Sequence, residues 1–376
     1  MKIKFLGATG TVTGSCYLLT SDSGAQIMID CGLFQGSTDL EAQNFSHLDC
    51  DCSKLSAVIL THAHLDHCGR LPVLLSEGFT GDIYMTPPTA DIAELSLFDS
   101  AKINKEDGRE LYTKERVIET VSKFRTIDYD VPFTVADFNI VLRNAGHILG
   151  SASVEVNSVV FSGDLGNSPE DLINATEAIP NANTVVMEST YGDKAHPTDE
   201  PSDILQSEIN TIESSGGTLL IPAFSIERSQ EILHMLAHLK AAGKIKAETK
   251  VFFDSPMAEK VTVVFEKYHD YYNTELANDF KHGDPFSFPG LTVIENREDS
   301  KNIDETPGPK VIISGSGMMT GGRILTHALH YLPLATTRLL IVGYQAEGTL
   351  GRKILEGQKN VTIQKNQRRL KKFSPQ

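Results

Sequence analysis

Leu60-Thr-His-Ala-His-Leu-Asp-His-Cys-Gly69 places three imidazoles and one carboxylate within the six residues from His62 to His67. They follow Ala57-Val-Ile-Leu60, an apolar run that reads as a buried strand. Metal-binding side chains crowded at a strand end point to a metal centre or an active site. On a loop leaving a strand, positions i and i+2 can converge on one ion while the next two side chains turn toward a second. Neutral imidazole and carboxylate suit zinc, at about 2.0–2.2 Å per bond. A chance cluster of surface histidines would rarely give this pattern at a strand end in a chain with 12 histidines.

Three other stretches fit the same site. Asn144-Ala-Gly-His147-Ile-Leu-Gly150 follows the strand pattern Phe138 to Ala145, so His147 also stands at a strand end. Phe161-Ser-Gly-Asp164-Leu-Gly166 sets a carboxylate in a glycine turn, where it could bridge two ions. Met28-Ile-Asp30-Cys-Gly32 ends another strand in an aspartate. Carboxylates that do not touch the metal often orient ligating histidines, and Asp30 suits that role.

Composition sets the limits. The chain has 376 residues, 40% hydrophobic and 22% charged, the profile of a globular protein with room for two domains. No apolar run approaches a membrane span, and the start turns to Gly and Thr too early for a signal peptide, so the expected location is the cytoplasm. The five cysteines include no CxxC pair, which argues against a disulfide framework or a zinc ribbon. The net charge of −15 argues against a general nucleic-acid coat but leaves room for a local, metal-charged site.

Residues 1 to about 195 alternate short strand patterns with turns and helices, the pattern of a layered α/β domain. From about 196 the units lengthen: helices are expected near 201–215, 225–242, 257–272 and 323–332, between strands such as Lys250 to Asp254 and Arg338 to Tyr344. This alternation predicts a parallel, Rossmann-like sheet. Gly192, Pro197 and Pro201 mark the boundary, and Asn360 to Ile363 is a candidate for a further strand.

These motifs together resemble a known family. The segments Phe5 to Leu19, Met28 to Gly36, Thr61 to Pro72, Ala145 to Ala152 and Ser162 to Asn167 look like the metallo-β-lactamase fold. Glu188-Ser-Thr-Tyr-Gly192, with Ile221 to Leu236, Phe252 to Ala258, Ser314 to Arg323 and Val342 to Arg352, resembles its β-CASP branch, which holds RNA-processing nucleases. The resemblance runs in order through about residue 363. It implies an αββα sandwich over 1–195 as the N-terminal portion of the metallo-β-lactamase domain, and a β-CASP domain over 196–363.

The resemblance also implies two zinc ions. His62, His64 and His147 would hold the first, Asp66 and His67 the second, and Asp164 would bridge them beside a hydroxide. Asp66, Asp164 and Glu188 are then the catalytic candidates. Ser189, Thr190 and Tyr191 lie close by in sequence as candidate substrate contacts. Arg323, closing the glycine-rich turn from Ser314, is a candidate for pairing a phosphate, with Arg228 and Arg352 behind it. RNA is the implied partner, a homodimer is compatible with the branch, and no membrane partner is expected.

Two histidine segments of this branch, resembling SAHAD and VHGE, have no counterpart here. The C-terminal part of the sandwich is therefore expected to be missing, and the basic stretch 364–376 to be disordered or out of frame. His234, His238, His327 and His330 are weak substitutes for the absent ligands. The expected activity is zinc-dependent cleavage of RNA phosphodiester bonds, as an endoribonuclease that could also act as a 5′ exonuclease. The alternatives are a weakly active or inactive RNA-binding homologue, and a hydrolase of another substrate on the same fold.

Overall fold

The structure, a computed structural model, describes residues 1–106, 108–166, 172–179, 181–195, 198–358, 360–365 and 368–369, the last two and residues 364–365 by backbone alone. Asn167 and Pro197, used in reading the sequence, and most of the basic tail lie outside the described residues. The chain forms two compact units: Met1–Lys194 with Val264–Ala277, and Ala195–Val263 with Asn278–Gln376.

The first unit holds two sheets. One has the order β1 (Lys2–Phe5), β2 (Tyr17–Thr20), β3 (Gln26–Ile29), β4 (Leu55–Ile59), β5 (Asp82–Met85), β6 (Phe124–Thr126). It begins antiparallel and is parallel from β3 onward. The other is built from β7 (Phe133–Val135), β8 (Phe138–Asn144), β9 (Ala152–Val156), β10 (Val159–Phe161) and β11 (Thr184–Val186), in sequence order across the sheet. Only β10 and β11 pair in parallel there.

The period-2 geometry of strands explains the core. Ile27 and Ile29 of β3, with Ala57 and Ile59 of β4, meet Phe138, Ile140 and Leu142 of β8, Val154 and Val156 of β9, and Phe161 of β10 in one buried cluster. The intervening Met28 and Val58 are fully buried as well. Strands covered on both faces read as unbroken apolar runs, as Ala57 to Leu60 does.

The second unit is a five-stranded, all-parallel sheet in the order β14 (Leu291–Val293), β13 (Lys250–Asp254), β15 (Lys310–Ser314), β12 (Thr218–Pro222), β16 (Thr337–Leu339). Leu220, Phe252 and Ile312 pack against Ile324, Leu325, Ala328 and Tyr331 of the helix Ile324–Tyr331. The expected helices at 201–215, 225–242 and 323–332 appear as Pro201–Ser215, Arg228–Ala241 and Ile324–Tyr331.

Three expectations are corrected. The helix expected over 257–272 stops at Phe265. Beyond it, Lys267 and Tyr268 bind the Asp91 carboxylate at 2.6 and 2.8 Å, and Tyr271 bonds Asp128 at 3.1 Å, so side-chain partners within the first unit override helical propensity. The strand expected over 338–344 ends at Leu339, with the Leu340 amide still donating to the Leu220 carbonyl at 3.0 Å. Asn360 to Ile363 forms no strand; Val361 and Ile363 instead bury their side chains in the core of the second unit. After it, Gln364–Lys365 and Arg368–Arg369 pair antiparallel.

Phe138 is among the largest fully buried side chains of the sandwich. Phe138→Ala should cost about 3–5 kcal/mol by lost burial and a residual cavity. Urea unfolding would show this as a lowered midpoint; an unchanged midpoint would mean that the two sheets do not share this core.

Candidate metal centre

The ends of four strands build the centre. β3 and β4 pair with Ile29 opposite Ile59, and the Asp30 amide donates to the Ile59 carbonyl at 3.0 Å. Asp30 follows at φ +56°, an unusual conformation for a non-glycine residue that ends the strand. The loop after β4 is clamped by backbone bonds: Ser15 N to Asp66 O at 2.8 Å, Cys31 N to His67 O at 2.8 Å and Leu33 N to Leu65 O at 2.8 Å. Gly32 permits this approach, because a Cβ there would fall 1.6 Å from the Asp66 carbonyl oxygen. β8 and β9 are joined by the turn that carries His147, and the Ala152 amide donates to the Thr61 carbonyl at 2.8 Å, tying the second sheet to the ligand loop. After β10, Gly163 at φ +59° turns the chain so that Asp164 follows.

His62, His64, His147 and Asp164 bring their ligand atoms within 4.8 Å of one another. His62 Nε2 and His147 Nε2 each lie 3.1 Å from His64 Nδ1, and lie 3.8 and 3.6 Å from Asp164 Oδ2. A tetrahedral zinc with ordinary bonds needs ligand-to-ligand edges of about 3.3–3.5 Å. The residues present therefore fit such an ion. Burial holds His62 well below the usual histidine range and His64 at about 3, so both imidazoles are neutral and have lone pairs to offer.

The other Asp164 oxygen, Oδ1, lies 3.1 Å from His67 Nε2, and Asp66 Oδ2 is 4.0 Å from that same nitrogen. One carboxylate thus faces both groups of ligands. Burial lifts Asp66 to about 6 against the opposing pull of His67. Burial also disfavours the charged form of His67, but Asp164 and Asp30 outweigh it and raise the group well above its usual range.

Asp30 organises the interior side. It is fully buried and accepts the Thr61 amide at 2.8 Å on Oδ1. Its Oδ2 takes Ser15 Oγ at 2.9 Å, Thr61 Oγ1 at 3.0 Å and His67 Nδ1 at 2.7 Å. Donation from His67 Nδ1 leaves Nε2 turned toward Asp164. Thr61 Oγ1 sits 3.1 Å from His62 Nδ1, which fixes that ring in the same sense. The sequence reading missed Ser15 and Thr61. Thr61 adjoins the histidine cluster, whereas Ser15 carries no local signal.

Residues 9–213 match the model of the metallo-β-lactamase superfamily, and residues 229–354 match that of the Beta-Casp domain. The chain belongs to the metallo-β-lactamase superfamily. Its β-CASP branch is shown by the second match and by the relatives. Ribonuclease TTHA0252 of Thermus thermophilus is 38% identical over 94% of this chain and 82% of its own length. Transcription termination factor FttA of Methanocaldococcus jannaschii is 32% identical over 96% of this chain, and that of Methanosarcina mazei 33% over 96%. The chain spans 59% of the length of each of these two archaeal proteins.

In this metallo-β-lactamase unit, Glu188 stands just past β11. Its carboxylate accepts the amides of Leu165 at 3.1 Å and Thr190 at 3.1 Å, and its own amide donates to Ser162 Oγ at 3.0 Å. Glu188 is thereby locked to the loop that carries Asp164. Ser189 and Tyr191 are exposed and Thr190 is half-buried.

Arg323 is held by partners within the second unit. Its guanidinium donates to the buried Asp254 at 2.5 Å and to the carbonyls of Ile294 and Glu295 at 3.0 and 2.8 Å. The glycine-rich turn before it also closes on itself, with the Thr320 amide on Ser316 Oγ at 3.0 Å and the Ile324 amide on the Gly315 carbonyl at 3.1 Å. Both were expected to meet phosphate, and the bonds seen here are to the protein itself. Arg228 pairs with Glu231 on its own helix, and Arg352 with Glu356 at the end of the helix Leu350–Leu355. The substitute histidines sit in the second unit on carboxylates of their own: His327 on Asp254, His330 on Asp304, and His234 and His238 on Asp279.

Asp30→Asn removes the charge that holds His67. Zinc affinity should fall about 10- to 100-fold, as is usual when the partner of a ligating histidine is lost. Competition against a chelating indicator measures it, and unchanged affinity would show that Asp30 serves the fold alone.

Proposed function

We propose that the chain is a zinc-dependent endoribonuclease that hydrolyses RNA phosphodiester bonds. The observation that carries this is the cage of His62, His64, His147 and Asp164, in a chain 38% identical to a protein named as a ribonuclease. A donor set of three imidazoles and one carboxylate favours zinc over magnesium, which prefers oxygen ligands. Metal ions bound there would supply a water acidified toward neutral pH and positive charge for the phosphate oxygens.

The chain's own residues do the rest. His62 and His64 stay neutral and hold their lone pairs toward the centre. Asp164 turns one oxygen to each group of ligands, and His67 is kept in register by Asp30. Asp66, with its pKa lifted to about 6, completes the second group. Glu188 acts as a positioning residue, one oxygen accepting the Leu165 amide beside Asp164 and the other the Thr190 amide. Ser189, Thr190 and Tyr191 follow it and supply hydroxyls to an RNA strand at the rim.

The test sets RNA, DNA and a thioester side by side, with a circular RNA to separate internal cleavage from 5′ trimming. Linear and circular RNA should both be cut. His64→Ala and Asp164→Asn should each lose at least about 100-fold in rate. Thioester turnover without RNA cleavage, or full RNA cleavage by His64→Ala, would overturn the proposal.

A further inference from the structure

We infer that His234, His238 and Asp279 form a second transition-metal site within the β-CASP unit, separate from the catalytic ligands. The two histidines occupy positions i and i+4 of the helix Arg228–Ala241, so they project from one face. Asp279 ends the helix Thr274–Asp279 and turns its carboxylate onto that face. His234 Nε2 lies 2.9 Å and His238 Nε2 2.8 Å from the same oxygen, Asp279 Oδ2. The three ligand atoms lie within 4.8 Å of one another, and the two imidazole rings are 4.4 Å apart between centroids.

This convergence distinguishes the cluster from an ordinary surface ion pair. Both rings direct the same nitrogen at one carboxylate oxygen, and each must carry a proton on Nε2 to make its bond. A divalent ion takes the place of those two protons at once, with the rings in the other tautomer. The two histidine–carboxylate edges, 2.9 and 2.8 Å, then need to lengthen by only about half an ångström to reach the 3.3–3.5 Å of a tetrahedral ion. His234 is buried and Asp279 only partly exposed, whereas the His238 side chain is 48% exposed. The inner half of the site is thus preformed, and the outer ligand leaves ions a way in.

The donor set selects the ion. Two imidazoles and one carboxylate suit zinc and its neighbours in the first transition row, and offer too few oxygens for magnesium or calcium. With three protein ligands, a fourth position stays open to water. In the sequence the histidines stand as His234-Met-Leu-Ala-His238 and the aspartate is 41 residues beyond, so the chain pattern alone does not reveal the third ligand.

The site predicts a metal count that catalytic ligands alone do not explain. The full chain, stripped by a chelator, is titrated with zinc alone and the bound ion measured by elemental analysis after desalting. Four proteins are compared: the wild type, His238→Ala, Asp279→Asn, and His64→Ala. His238→Ala and Asp279→Asn should each bind one equivalent less than the wild type while keeping RNA cleavage. His64→Ala should retain the ion at this second site, and zinc, but not magnesium, should raise its Tm. Adding His238→Ala to that variant should reduce the rise. Because His238 is half exposed, its removal spares the core, and circular dichroism of the metal-free variants checks the fold. Equal zinc content in wild type and His238→Ala, or a zinc-induced Tm rise that is undiminished in the double variant, would overturn the inference. Failure of the ribonuclease proposal would leave this count unaffected.

Discussion

A carboxylate with no access to solvent governs the candidate metal centre of this chain. Asp30 is fully buried, and an ionised carboxylate in such a place costs several kcal/mol unless donors surround it. It has four: the Thr61 amide and hydroxyl, the Ser15 hydroxyl and the His67 ring. Satisfying that one charge fixes the loop after β4, the turn after β1 and the orientation of an imidazole together. The neighbouring backbone bonds from residues 15, 31 and 33 to residues 65–67 carry the same constraint outward. The candidate metal ligands stand on a rigid base because Asp30 cannot be left unpaired.

The two sheets supply the other half of the construction. β4, β8 and β10 deliver His62, His64, His147 and Asp164 from positions scattered over about a hundred residues, and their buried inner faces hold those ends at fixed separations. In an α/β protein the carboxyl ends of strands are where such side chains can gather without disturbing the core. Neutral histidines and a carboxylate with one oxygen for each group follow from that placement and from burial.

Much of this was legible in the sequence because its causes are local. The HxHxDH pattern, the glycine turns before His147 and Asp164, and the apolar runs of parallel strands report local requirements, and the structure brings His62, His64, His147 and Asp164 into one cluster. What escaped depended on distant partners. Ser15 bonds Asp30 across the sheet with no motif to announce it. Arg323 pairs with Asp254, 69 residues away, a partner that the glycine-rich motif does not announce. The helix after Pro256 ends at Phe265 because Asp91 and Asp128 draw Lys267, Tyr268 and Tyr271 into the first unit, which propensity alone cannot foresee.

The most direct test is an anomalous difference map at the zinc edge, from crystals of the protein purified with zinc. The account predicts a peak about 2.0–2.2 Å from His62 Nε2, His64 Nδ1, His147 Nε2 and one oxygen of Asp164, with His67 Nδ1 still on Asp30. Zinc bound to the protein but absent from that cage would contradict it, and so would a His67 ring turned away from Asp30.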